Sequence, residues 1–115
     1  MNDEDAFRLR HVLDAAERAI RYSGLRAEIP DDTMAADALL RCLTVIGECA
    51  SRLTDEAAAM IPTLPVAMAR GLRNRIVHAY WTIDASTAWR TAEDDLPLLA
   101  DEVRAALERV RRSRQ

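Results

Sequence analysis

Lysine is absent from this 115-residue chain: all 16 basic residues are arginine, set against 19 acidic ones, for a net charge of -3. A protein coated for general nucleic-acid binding would be basic, so no such coat is implied, and a local basic patch stays open. The simplest reading of the arginine-only set is codon bias of the source genome; the other is a use for bidentate phosphate contacts or buried pairs. Cysteine is almost absent too. Cys42 and Cys49 lie seven residues apart, a rise of roughly 10.5 Å on one helix, which is too far for a disulfide. There is no CxxC and no Cys/His cluster, so neither a disulfide framework nor a zinc site is expected. Two ordinary thiols in a reducing cytoplasm are expected instead. No apolar run reaches transmembrane length, and the N-terminus is acidic and polar rather than leader-like, so the expectation is a cytoplasmic protein with no membrane contact. Three glycines, four prolines and 4% aromatics leave little to punctuate or build many short strands.

What is present is helix-forming. Half of the chain is hydrophobic, dominated by Ala and Leu, and residues 1–115 are read as one all-α domain with its own core. Ala6, Leu9, Leu13, Ala16 and Ile20 recur at helical spacing over residues 3–23, with Val12 and Ala19 beside them, and Gly24 is a natural stop. His11 falls on the polar side and is read as a solvated surface residue. Pro30 and Asp31-Asp32-Thr33 announce a second helix running to about residue 53, with Ala36, Leu39, Leu40, Leu43, Ile46, Gly47, Ala50 and Leu53 as its stripe. Gly47 in mid-helix costs ~1 kcal/mol relative to Ala, which points to a close helix crossing there. Glu48 beside it reads as a flank or salt-bridge residue, with catalysis a lesser option. A short extra turn follows over 54–60, and Pro62 and Pro65 bound a loop and restart the chain. A third helix spans 65–79, with Met68, Ala69, Leu72, Ile76 and Ala79 as its core face. Asp84 caps a fourth helical region over 85–111 whose stripe keeps its phase across Pro97, so a kink or restart is expected there. The sum is an antiparallel four-helix bundle. Its wide, Ala-rich stripes, with Trp81 and Trp89 to cover, predict a homodimer.

Chemistry concentrates in residues 70–80, which hold three arginines, one of two histidines and one of two tyrosines. Arg70, Arg73, Asn74 and His78 share an arc of the third helix, and Asn74 and His78 are i,i+4 neighbours, so the amide could orient the imidazole. An imidazole both takes and gives a proton near neutral pH. Metal-independent RNA cleavage needs a base for the 2′-hydroxyl and an acid for the leaving 5′-oxygen. One histidine per chain is too few for both roles at once; two copies of His78 across a dimer would supply them. Arg73 suits the developing phosphorane charge. Arg70 and Arg75 are candidate RNA contacts, although Arg75 points away from the Arg73–His78 arc and serves equally well as a surface or dimer salt bridge.

The block Arg73-Asn74-x-x-x-His78-x-Tyr80 resembles the signature of the HEPN superfamily, and more narrowly the HepT-type toxins of HepT/MntA toxin–antitoxin pairs. Gly47-Glu48, the Pro-bounded loop, Ile83-Asp84, Trp89 and Asp95-Leu96-Pro97 fall in that family's order, so the resemblance covers nearly the whole chain. It implies a helical bundle that dimerises with its motif helices facing each other, and metal-independent ribonuclease activity without a cofactor. It also implies Arg73 and His78 as catalytic residues, with Asn74 in support. The implied partner is a minimal nucleotidyltransferase antitoxin that adenylylates Tyr80 and silences the toxin, as in a type VII-like system. The competing expectation is a non-catalytic module that binds such a nucleotidyltransferase, with Tyr80 chiefly a modification target. Taken singly, a histidine near a helix end is more often structural than catalytic, and Tyr80 could simply anchor the helix end.

Overall fold

Asn2 starts the first helix: its Oδ1 accepts the Asp5 N–H at 2.7 Å, as an N-cap residue does. The computed structural model describes residues 1–25, 33–79 and 85–114. Six helices occur among them: α1 (Asp3–Leu25), α2 (Thr33–Ala50), α3 (Asp55–Ala58), α4 (Val66–Ala79), α5 (Ala85–Asp94) and α6 (Leu96–Ser113). These form an all-α bundle with no strand among the described residues.

The boundaries follow local chemistry. α1 runs through Gly24 to Leu25, one turn's edge further than its glycine predicts. α2 ends at Ala50 rather than near residue 53, because the chain tightens: Arg52 N–H donates to Cys49 O, Leu53 N–H to Ala50 O, and Ser51 Oγ to Glu48 O. Thr54 Oγ1 then caps α3 by accepting the Ala57 N–H at 3.3 Å. Pro65 sits just before α4, and its carbonyl accepts the Ala69 N–H at 2.9 Å. The expected interruption near Pro97 is a restart: α5 stops at Asp94, Asp95 turns, and α6 opens with Pro97 in its first turn, where a missing N–H costs nothing. The helix-start signals at Pro30–Asp32 and Asp84 lie outside the described residues.

α1 packs on α2 and α6, α4 packs chiefly on α2, and α5 rests on α1 and α6. Leu9, Val12, Leu39, Ile46, Ile61, Leu99 and Val103 are the large apolar side chains fully buried between them, each worth roughly 1.5–3 kcal/mol of transfer from water. Alanines at 6, 15, 16 and 19 of α1 are buried beside them and let the neighbouring helices approach. Two expectations shift. The buried arc of α1 is rotated toward Val12 and Ala15, which leaves Leu13 and Ile20 only half-buried. Met68, assigned to the core, is 60% exposed: with α2 as its main neighbour, α4 buries a narrow arc of Ala69 and Ile76, flanked by Leu72. His11 is exposed on α1, edge-on to Phe7 with ring centroids 4.5 Å apart.

Asp5 is the buried charged side chain among the described residues. Its Oδ1 accepts Thr54 N–H at 3.0 Å and its Oδ2 accepts Thr54 Oγ1–H at 2.6 Å, so it ties the start of α1 to the α2–α3 corner. Burial pushes this carboxyl up, but the Thr54 hydroxyl and amide, the Asn2 amide and the nearby amino terminus outweigh it and hold it below the ordinary carboxylate value. A depressed folded-state pKa gives stability that is present above the unfolded value near 4 and is lost as pH falls through the folded one. Asp5→Asn is therefore expected to cost about 1 kcal/mol at pH 7 and to flatten the acid limb of stability. Urea unfolding across pH 2.5–7 checks this, and identical pH slopes for the two proteins would contradict it.

Candidate functional site

Gly47 brings the motif helix onto α2. A Cβ built on it would lie 3.0 Å from the Ala69 carbonyl oxygen and 3.2 Å from Arg73 N and Cβ. The close crossing expected of this glycine is thus present, and it falls at Arg73. The next residue, Glu48, meets the arginine where it leaves α4: Arg73 Nε–H donates to Glu48 Oε2 at 2.9 Å. The other oxygen, Oε1, pairs with Arg52 Nη2 at 2.7 Å. Glu48 is therefore a salt-bridge residue, shared between two guanidinium groups. Arg73 Nη1 donates to Asn74 Oδ1 at 3.2 Å, so the amide oxygen is turned to the arginine.

The remaining motif residues are displayed outward. Arg70, Asn74 and His78 are exposed on α4, at four-residue steps that set them in one row. At about 100° per residue, His78 lies roughly opposite Ala69 and about 140° from Arg73, so the arc expected to hold both keeps Arg70, Asn74 and His78 but not Arg73. One chain therefore holds its arginine at the α2–α4 crossing and its histidine on the far side of the same helix. Arg75 is exposed elsewhere: it lines a groove of about 220 Å³ with Leu43, Ile46, Leu72, Thr91 and Asp95, away from the Arg73–Glu48 pair. Tyr80 lies outside the described residues.

The loop before α4 is anchored by Glu102 of α6, whose carboxylate accepts Thr63 N–H at 3.0 Å and Thr63 Oγ1–H at 2.8 Å. Neither this clamp nor Asp5 is singled out by the sequence, although Asn2 followed three residues later by Asp5 is an N-cap pattern that could have been read. The two thiols are free. Burial pushes both up, and the Glu48 charge adds to the effect at Cys49, which makes them poor nucleophiles. Among the described residues no group of three or more His, Cys, Asp or Glu is placed to hold a metal ion, and no helix is long and apolar enough to cross a membrane.

The sequence is similar to those of known proteins. The family model described as Ribonuclease HepT-like matches residues 9–106, and the chain belongs to that family, within the HEPN superfamily. Among curated relatives, "Putative RNase MJ0125" of Methanocaldococcus jannaschii is 32% identical over 65 residues, covering 56% of each chain. "Putative RNase MJ1380" of the same organism is 30% identical over 103 residues, covering 88% of this chain and 94% of its own. "Probable ribonuclease HepT" of Thermococcus cleftensis is 29% identical over 62 residues, covering 54% and 56%. The chain thus spans about half the length of several curated relatives it matches. No solved structure matches.

Proposed function

We propose that this protein is a metal-independent RNA endonuclease and the toxin of a two-gene pair, working as a homodimer whose active site is composed by two α4 helices. The observation that carries the reading is the division of α4: Arg73 is held at the α2 crossing while His78 stands exposed on the outer side. Val77, whose place on the wheel falls between Arg73 and His78, is 48% exposed, apolar surface that a second copy would cover. Two such helices face to face set two imidazoles and two guanidinium groups around one phosphodiester. One His78 takes the 2′-hydroxyl proton, the oxygen attacks phosphorus, and the other His78 protonates the departing 5′-oxygen. The products are a 2′,3′-cyclic phosphate and a 5′-hydroxyl, and Arg73 carries the charge of the phosphorane. Arg70, one turn below Asn74, holds the strand.

The partner in this reading is a minimal nucleotidyltransferase that joins the AMP of ATP to the hydroxyl of Tyr80, two residues beyond His78, and releases pyrophosphate. A bulky anion there excludes substrate by volume and by charge repulsion. Protein expressed alone and assayed in EDTA is expected to cleave RNA. Co-expression with the adjacent nucleotidyltransferase is expected to add AMP to Tyr80, seen by intact mass and peptide mapping, and to abolish cleavage. Protein unmodified at Tyr80 that leaves every RNA class intact would sink the nuclease reading.

A further inference from the structure

We propose that Glu48 is a positioning residue for Arg73: it fixes the guanidinium so that its outer donors meet the scissile phosphate. This rests on the nuclease reading of Arg73 and His78. Glu48 Oε2 takes the Nε–H of Arg73 at 2.9 Å, and Asn74 Oδ1 takes one Nη1 hydrogen at 3.2 Å. Among the described residues, the two Nη2 hydrogens and the second Nη1 hydrogen stay uncommitted, and these form the end of the fork that suits phosphate oxygens. An arginine side chain with no anchor samples many rotamers, and pinning it at Nε leaves the terminal donors set before substrate arrives.

The position of Glu48 is itself over-determined. Gly47 lets the α4 backbone come within 3.0–3.2 Å of where its Cβ would stand, so the carboxylate of the next residue lies at the root of the arginine. Arg52 holds the second oxygen at 2.7 Å. Two guanidinium groups share one carboxylate, so the cluster keeps a net charge of about +1 for an anionic strand despite its ion pairing. Glu48 and Arg73 are both more than a third exposed, so this contact adds little to folding stability. Its effect is on geometry.

The test compares wild-type protein with Glu48→Ala, Glu48→Gln and His78→Ala on a fluorophore-quenched, mixed-sequence oligoribonucleotide, reading kcat, KM and the pH profile, with thermal melts of each. Glu48→Ala is expected to lower kcat by about 10- to 100-fold with KM moving less than about threefold. Glu48→Gln keeps a carbonyl oxygen for the Nε–H and is expected to recover to within about fivefold of wild type. All melting temperatures and the shape of the pH profile should hold. Wild-type kcat in Glu48→Ala would overturn the proposal while leaving the nuclease reading intact. So would a Glu48→Gln variant as inactive as Glu48→Ala with one limb of the pH profile missing, because Glu48 would then move a proton itself. A wild type that cuts no RNA, or a fully active His78→Ala, removes the nuclease reading and this proposal with it.

Discussion

His78→Ala is expected to reduce RNA cleavage by about 10³-fold while leaving melting temperature and oligomeric state unchanged. The magnitude follows from the chemistry: a positioned acid or base contributes roughly 10²- to 10⁴-fold, and where two groups act as a unit, losing one costs about as much as losing both. The neutrality for folding follows from placement. His78 is exposed on the outer side of α4, and surface substitutions away from packed features usually change stability by no more than about 0.5 kcal/mol. Arg73→Ala is expected to cost about 10²- to 10³-fold, the range for one lost electrostatic stabiliser.

A site composed across two chains, as proposed, makes a sharper demand than loss of activity. Heterodimers of one wild-type and one His78→Ala chain, purified by two different tags, are expected to be nearly as inactive as the homodimeric variant. If one imidazole is the base and the other the acid, a single histidine per dimer leaves one proton transfer unassisted. Retention of about half the wild-type rate in the heterodimer would show that each chain cuts alone. The wild-type pH profile should be bell-shaped, one limb for the histidine that must be neutral and the other for the one that must be charged.

Residues 70–80 stand out in the sequence because rare residue types crowd one helix, and the structure keeps Arg73, Asn74 and His78 on that helix. Gly47 was legible for a physical reason: glycine in mid-helix is costly, so something close must require it. The partner of Arg73 was not legible in the same way. Glu48 is 25 positions earlier, and a helical wheel sets the phase of each helix without saying which helix meets which. The wheel also misplaced Met68, because a stripe drawn around α4 assumes neighbours on a broad arc, whereas α4 leans chiefly on α2. Asp5 escaped notice because an acidic N-terminal stretch reads as solvated surface. Only the fold shows the Thr54 amide and hydroxyl brought against it from 49 residues away.

Gly47→Ala should lower stability by up to about 2 kcal/mol and cleavage by a larger factor than stability alone explains. Helix propensity alone favours the substitution by ~1 kcal/mol. Against it stands the new methyl, 3.0 Å from the Ala69 carbonyl oxygen and 3.2 Å from the Arg73 amide nitrogen and Cβ. Those atoms belong to the backbone and first carbon of α4, which cannot swing aside as a flexible side chain could. Relief must come from moving the two helices apart, and overpacking of this kind typically costs 1–3 kcal/mol. The same displacement carries Arg73 away from Glu48 and from the phosphate position, and a misplacement of about 1 Å can cost roughly 10²-fold in rate. Gly47→Leu, which adds bulk at the same contact, should unfold at markedly lower urea than Gly47→Ala. Urea midpoints and single-turnover cleavage on the three proteins measure both effects together. An alanine variant as stable and as active as the parent would mean that α2 and α4 sit further apart at Arg73 than 3 Å contacts allow. A loss of rate without a loss of stability would instead place the whole cost of the methyl on the position of the arginine.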